Sequence, residues 1–217
     1  MITTNKEPKD IFLKLSPWGL LFAEHSNLKA GYFSQERYLV TKYLKEKLNI
    51  LIIGSGNGRE AFPVCHDGHR IVCMDTGLLY LMAGKQFFAK ENVRNIYFVQ
   101  ADMAQFPFNE KSFDFIFFSL YSPAGRHRFD IMRKISSILC KGGLVLLMTV
   151  NFRRHAIGKD FAVISDERQL RQELSLCGFE LLETKLETMR PEYRFSVCKR
   201  KSDFILPQHK FYNGKAG

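Results

Sequence analysis

Short apolar runs of strand length alternate along this chain with stretches of helical periodicity. The runs are NILIIG, RIVCMD, NIYFVQAD, FDFIFFSL and GLVLLMTV, at residues 49–54, 70–75, 95–102, 113–120 and 143–150. Such runs are typical of parallel strands that helices cover on both faces. The alternation therefore predicts an α/β domain in which a mainly parallel sheet forms the middle layer.

The segments between these runs predict helices over 34–48, 58–66, 78–92, 128–140 and 166–177. We expect Pro63 to distort the second of them and Gly178 to end the last. Beyond Gly178, FELLETKLETM and YRFSVCKRK predict two antiparallel strands around a turn at Arg190 and Pro191. Ligands of open α/β sheets bind beyond the carboxyl ends of the strands, so the loops that follow the strands are the candidate site.

Composition limits the kind of protein that this is. A chain of 217 residues that is 46% hydrophobic suits one domain with a sizeable core. Its apolar runs are far shorter than the roughly 20 residues that cross a bilayer, which argues against a membrane protein. Near the N-terminus Lys14 and Pro17 interrupt the apolar stretch IFLKLSPWGLLFA, which argues against a signal peptide.

The cysteines indicate a reducing environment. There are five of them, widely spread and without a C-x-x-C pair, at positions 65, 73, 140, 177 and 198. This pattern favours neither a disulfide framework nor a metal site, and it is typical of a cytoplasmic protein.

The chain carries a formal net charge of +10. Small basic clusters lie at 126–128, 153–155 and 199–201, but there is no long basic run. A charge of this size suits either an anionic partner such as RNA or simply a well-solvated surface.

Three glycines at alternate positions follow the first apolar run, in ILIIGSGNGREAF. The dinucleotide fingerprint G-x-G-x-x-G, counted from Gly54, requires glycine where Arg59 stands. Counted from Gly56, it requires glycine where Ala61 stands. The spacing therefore disfavours NAD.

Two acidic residues close the next two strands. Asp75 ends the second run, where a carboxylate can accept hydrogen bonds from both hydroxyls of a ribose. Asp102 ends the third run, where its carboxylate can accept from an adenine amine while the backbone N–H of Met103 faces the ring. An acid at the third strand is not a dinucleotide feature.

In order and spacing these segments resemble the class I S-adenosylmethionine-dependent methyltransferases of the small-molecule type. ILIIGSGNGREAF is similar to their glycine motif, ADMAQFPFNEKSFDFIFF to their adenine acid and fourth strand, ILCKGGLVLL to the turn into their fifth strand, and LSLCGFELLE to the start of their sixth. The resemblance spans about residues 34–200. It implies a three-layer Rossmann-like fold with a seven-stranded, mostly parallel sheet and an antiparallel last strand.

The resemblance also implies the cofactor and its binding residues. The cofactor is S-adenosylmethionine and the product S-adenosylhomocysteine. The residues implied to bind them are Gly54, Ser55, Gly56, Gly58, Asp75, Thr76, Asp102, Met103 and Ser119. One position departs from the family, since Ile52 stands where an acid often helps to hold the cofactor's amino group.

The expected domains are an N-terminal segment (1–33), the methyltransferase domain (34–200) and a C-terminal tail (201–217). Aromatic residues of the first segment, among them Trp18 and Phe22, suit either a lid over the site or packing against the sheet. The expected function is methyl transfer to a small organic acceptor by in-line displacement, in a cytoplasmic enzyme.

Candidates for a general base are Tyr121, His127 and His155, with His25 in the N-terminal segment. Tyr121, Arg153 and Arg154 are the candidates for acceptor binding, because two arginines can grip a carboxylate or phosphate. The loop SLYSPAG lacks the D/N-P-P-Y of amino-methylating nucleic-acid enzymes. Two alternatives stay open: an RNA or other macromolecular methyltransferase, and a methyltransferase-like protein that binds without catalysis.

Overall fold

The computed structural model describes residues 31–119, 127–151, 166–188 and 192–201. Its strands are β1 (Asn49–Ile53), β2 (Arg70–Asp75), β3 (Ile96–Gln100), β4 (Phe113–Phe118), β5 (Leu139–Asn151), β6 (Phe179–Glu187) and β7 (Glu192–Arg200). They form one sheet in the order β3-β2-β1-β4-β5-β7-β6. The pairs among β1 to β5 are parallel, and β7 runs antiparallel to both of its neighbours. The predicted sheet with its antiparallel last strand is confirmed.

In the described part of the chain, helices cover both faces of the sheet: α1 (Ser34–Tyr43), α2 (Leu78–Lys90), α3 (Arg128–Ile138) and α4 (Glu167–Leu176). Alternate residues of a strand point to opposite faces, so β1 contributes to two cores. Ile50 and Ile52 pack with residues of α1 and α2, while Leu51 and Ile53 pack with residues of α3 and α4. Within the described ranges, no helix is both long and apolar enough to cross a membrane.

The first two predicted helices are much shorter in the structure. The first stops at Tyr43 rather than at residue 48, because the backbone becomes extended at Leu44. The helix predicted over 58–66 is only a short 3-10 turn, Phe62–Val64, since Gly58 has a left-handed backbone and Pro63 follows.

The fourth predicted helix was wrong at its end. It stops at Ile138, and Cys140 lies in β5 rather than on a helix. Leu139 is extended and pairs with Phe113 of β4, so this apolar segment belongs to the sheet and the helix ends one residue earlier. The turn predicted at Arg190 and Pro191 lies outside the described residues.

Candidate functional site

The predicted cofactor residues follow neighbouring strands at the carboxyl edge of the sheet. Ile53 at the end of β1 pairs with Met74 of β2 on one side and with Phe118 of β4 on the other. Between β1 and β4 the order of strands reverses, which opens a crevice at their carboxyl ends. The loops after these strands therefore converge on the place where an open α/β sheet binds its ligand.

The glycine loop turns sharply after β1. Gly54, Gly56 and Gly58 have φ angles of 70°, 54° and 96°. L-residues that carry a side chain rarely adopt such positive φ angles. The backbone N–H groups of Gly54 and Ser55 both donate to the carbonyl oxygen of Met74, at 2.9 and 3.1 Å. The loop is thereby tied to the end of β2 and lies with its backbone against the crevice.

Helix α2 packs directly on this loop. A Cβ atom at Gly84 of α2 would lie 2.4 Å from the carbonyl oxygen of Asn57, and one at Gly58 would lie 2.9 Å from the ring of Phe88. Dinucleotide folds obtain this close packing from a glycine in the loop itself. Here Gly84 supplies it from the helix, a feature that the spacing of the loop glycines does not reveal.

Asp75 joins two loops of the site. Its Oδ2 accepts a hydrogen bond from the backbone N–H of Gly56, and its Oδ1 accepts one from that of Gly77, both at 2.8 Å. Each carboxylate oxygen has two lone pairs, so both can still accept from a ribose hydroxyl. Asp75 thus shapes the loop in addition to the ribose role that the sequence predicts.

The other predicted cofactor residues lie on the adjoining loops. Thr76 is exposed beside Asp75, and Asp102 and Met103 follow β3. The loops after β2 and β3 contact each other, because the backbone N–H of Ala101 donates to the carbonyl oxygen of Asp75 at 3.1 Å. Asp102 is exposed, and its Oδ1 accepts from the N–H of Ala104 at 2.8 Å. Its Oδ2 accepts from no residue that the structure describes.

A buried ionic cluster lies behind the glycine loop. The guanidinium of Arg59 pairs with both oxygens of Glu36 at 2.8 and 3.1 Å and with Oε1 of Glu60 at 2.9 Å, and it donates to the carbonyl of Gly31 at 2.9 Å. Burial by itself would lower the pKa of Arg59, but the two carboxylates outweigh it and raise that pKa. Burial raises the pKa of Glu36, although Arg59 opposes the shift.

Sequence reasoning missed this ionic cluster. The adjacent charges Arg59 and Glu60 directly after three glycines are a local signal, but their partner Glu36 stands 23 positions earlier. Ser119, which was predicted to touch the cofactor, is buried at the end of β4 and donates to Oε1 of Glu60 at 3.0 Å. The cluster therefore reaches from α1 to the carboxyl end of β4.

Most of the candidate catalytic and acceptor-binding residues lie outside the part of the chain that the structure describes. Tyr121, Arg153, Arg154, His155 and His25 lie outside the described residues and stay predictions. His127 is described and exposed, directly before α3. Among the residues that the structure describes, no cluster of histidine, cysteine and acidic side chains could hold a metal ion.

A glycine loop, an acid at the end of β2 and another after β3 thus lie at the carboxyl edge of this α/β domain. In comparison with known proteins, residues 50–143 match the family model described as a methyltransferase domain. The sequence matches no curated protein sequence.

Solved structures share the fold over most of this chain. One is the 1,6-didemethyltoxoflavin-N1-methyltransferase of Burkholderia thailandensis, solved with 1,6-didemethyltoxoflavin and S-adenosylhomocysteine; it is 14% identical, with a TM-score of 0.67 and 93% of each chain covered. A second is the magnesium protoporphyrin IX methyltransferase of Synechocystis PCC 6803 with S-adenosylhomocysteine, at 14% identity, a TM-score of 0.62, and 76% of this chain and 79% of that one covered. A third is the cyclase SpnF, at 15% identity, a TM-score of 0.64, and 76% and 80% coverage.

At these identities the solved structures show the fold, while the family match concerns the segment that contains the site. Residues 50–143 are therefore similar to a methyltransferase domain, and the fold is that of S-adenosylmethionine-dependent methyltransferases of known structure. The expected family, enzyme class and cofactor agree with the comparisons.

Proposed function

We propose that this methyltransferase transfers the methyl group of S-adenosylmethionine to a small organic acceptor by in-line displacement. The observation that carries the proposal is the Asp75 carboxylate, which holds the glycine loop and the start of α2 together at the strand-order reversal. A ribose binds there against backbone and carboxylate at once. The small-molecule methyltransferases of the same fold support the nature of the acceptor.

The residues present fit this cofactor. The loop glycines leave backbone rather than side chains at the crevice, and Gly56 has open space where a Cβ would be. Asp75 ends β2 and Asp102 follows β3, the strand beside it in the sheet, so the two carboxylates come from adjacent loops. When bound, S-adenosylmethionine supplies an electrophilic methyl group on a sulfonium.

The protein's contribution to such a reaction is alignment. Holding acceptor and donor in line is worth about 7–11 kcal/mol of the barrier without any covalent role for a side chain. A general base is needed only where the acceptor carries a proton of high pKa, and Tyr121, His127 and His155 are proposed for that role. Arg153 and Arg154 are proposed to bind an anionic group of the acceptor.

Calorimetric titration with S-adenosylmethionine, S-adenosylhomocysteine and NAD tests the cofactor assignment. We expect both adenosyl compounds to bind and NAD not to bind. Asp75→Ala removes the ribose acceptor and releases the loop, so it should weaken S-adenosylhomocysteine at least about tenfold, the loss expected for one charge-assisted hydrogen bond. The matched control is Glu180→Ala, an exposed acid on β6 at the far edge of the sheet, which should leave binding unchanged.

The class of acceptor is then tested by measuring the release of S-adenosylhomocysteine from S-adenosylmethionine. The acceptors offered are panels of phenols, amines, thiols and carboxylates, and RNA. Turnover with a small molecule supports the proposal, and turnover with RNA alone contradicts it. Tight cofactor binding without turnover on any panel would favour the non-catalytic alternative. Absence of binding to either adenosyl compound would refute the proposal as a whole.

A further inference from the structure

Among the residues that the structure describes, the ionic cluster of Glu36, Arg59 and Glu60 contains more acidic than basic groups. It contains two carboxylates and one guanidinium, and the exposed fractions of the three residues are 1%, 9% and 5%. Charges that are this well buried are normally balanced, because an unpaired ion is costly to desolvate. A cationic group from a ligand would restore the balance.

The two carboxylates of the cluster differ in how far their hydrogen bonding is satisfied. Both oxygens of Glu36 are used, since Oε1 accepts from Arg59 and Oε2 accepts from Arg59 and from the backbone N–H of Phe33. In Glu60 the single atom Oε1 accepts from both Arg59 and Ser119. Its Oε2 accepts from no residue that the structure describes, although an ionised carboxylate can accept about four hydrogen bonds. Glu60 therefore has the free acceptor capacity.

Glu60 also lies where the crevice opens. Ser119, which donates to it, directly follows Phe118, the partner of Ile53 in the sheet. The carboxylate of Glu60 thus lies at the carboxyl end of β4, the strand that pairs with β1. Its main-chain oxygen accepts from the buried hydroxyl of Tyr32 at 2.7 Å, which fixes the backbone at this position.

Ile52 lies in the core on the α1 and α2 side of the sheet, which also contains Tyr32. Ile52 pairs with Cys73 of β2 and Phe117 of β4, Tyr32 stacks on Phe117, and the charge of Glu60 acts on the thiol of Cys73. Cys73 is therefore a common neighbour of Glu60 and Ile52. Ile52 is itself only 1% exposed and apolar, so it offers no charge there.

We propose that Glu60 binds the α-ammonium group of the cofactor's methionine end through its unused oxygen. The carboxylate comes from the segment after the glycine loop, two residues beyond Gly58, and it replaces an acid at position 52 of β1. The inference rests on the proposed function, because it needs an adenosyl cofactor in the crevice. It assigns to Glu60 a binding role that the glycine motif does not contain.

The test compares three ligands that differ only at the methionine end. They are S-adenosylhomocysteine, its analogue with hydrogen in place of the α-amino group, and 5′-methylthioadenosine, which lacks the amino-acid end. S-Adenosylhomocysteine has no sulfonium, so the ammonium is its only cation. In the unaltered protein we expect it to bind about 10- to 100-fold more tightly than the deaminated analogue, as for a charge-assisted hydrogen bond.

Glu60→Gln should remove this preference. It should weaken S-adenosylhomocysteine about 10- to 100-fold and change the affinity of the other two ligands less than about threefold. The matched control is Glu36→Gln, which removes the other carboxylate of the same cluster but no free acceptor, and it should weaken S-adenosylhomocysteine far less. Thermal melts of both variants check the fold, and Glu60→Asp, which keeps the charge, should give an intermediate loss confined to S-adenosylhomocysteine.

The outcomes separate the two proposals. If the unaltered protein binds none of the three ligands, the proposed function fails. If it binds them and Glu60→Gln weakens all three equally, or Glu36→Gln weakens S-adenosylhomocysteine as much as Glu60→Gln does, the role of Glu60 is overturned while the function stands. If neither Glu60→Gln nor Glu36→Gln folds, Glu60→Asp decides, because a loss shared by all three ligands would again overturn the assignment.

Discussion

Replacement of Gly84 by alanine tests the packing of α2 on the glycine loop. The added Cβ would lie 2.4 Å from the carbonyl oxygen of Asn57 and 2.8 Å from the ring of Phe98. Ordinary contacts between carbon and a carbonyl oxygen are about 3.3–3.6 Å, so the loop and the helix must separate by roughly 1 Å. The obstacle is backbone and cannot rotate away as a side chain would.

Two opposing terms give the size of the effect. Alanine is better than glycine in a helix interior by about 1 kcal/mol. Overpacking costs typically about 1–3 kcal/mol, and the backbone contact places Gly84→Ala at the upper end of that range. We therefore expect the free energy of unfolding to fall by about 2 kcal/mol, which is a loss of about 4–8 °C in Tm for a chain of this length.

The assay is a thermal melt with and without S-adenosylhomocysteine. Gln86→Ala is the control, because Gln86 lies exposed on the same helix and its replacement should change stability by no more than about 0.5 kcal/mol. Displacement of the loop should also reduce the stabilisation that saturating ligand provides, about 2.7 kcal/mol at 100 times the Kd. A Gly84→Ala protein as stable as the unaltered one, with the same gain from ligand, would refute the close packing of α2 on the loop.

Two further predictions concern a histidine and the five thiols. Burial lowers the pKa of His69, which accepts from the N–H of Leu48 at 3.1 Å, and Asp67 opposes this only in part. Its stabilising effect is therefore complete above the usual histidine pKa of about 6.5 and declines as the pH falls below it, by at most about 1.4 kcal/mol per pH unit. Urea unfolding of His69→Asn, whose amide oxygen can still accept from Leu48, should show a shallower decline between pH 7.5 and 5.5, and an equal decline would count against His69. Burial raises the pKa of all five thiols, that of Cys177 to about 11, but only Cys140 is half-buried rather than buried. Peptide mapping after brief alkylation of the native protein should therefore find Cys140 modified first, and early modification of Cys73 or Cys198 would contradict the buried positions of those thiols.

The sheet could be predicted from sequence because burial on both faces leaves a direct mark on composition. Every residue of β1 after Asn49 is apolar and buried, so neither face of the strand can be solvent-exposed. The ends of elements were predicted less well, since an apolar pair such as Leu139 and Cys140 satisfies helical periodicity and a strand equally. Pairing with Phe113, a long-range contact, decides between them.

The same distinction applies to the site. The loop glycines, Asp75 and Asp102 could be found because the carboxyl ends of parallel strands meet at one edge whatever the intervening helices contain. The partners of Asp75, the N–H groups of Gly56 and Gly77, carry no side chains and left no signal beyond the glycines themselves. Glu36 and Arg59 meet only once α1 packs on the sheet, so their pairing is a property of the fold rather than of a local motif.

In-line methyl transfer makes the rigidity of these contacts relevant to rate as well as to binding. On the proposed assignment the cofactor is held at the base by Asp102, at the ribose by Asp75 and at the ammonium by Glu60. The reacting sulfur lies between the ribose and the ammonium, so Asp75 and Glu60 together fix its position. Misplacement by about 1 Å can cost a hundredfold in rate. Variants that loosen either contact, or that displace the loop through Gly84, should therefore lower kcat even at saturating cofactor, whereas a contact that serves binding alone would alter only the cofactor KM.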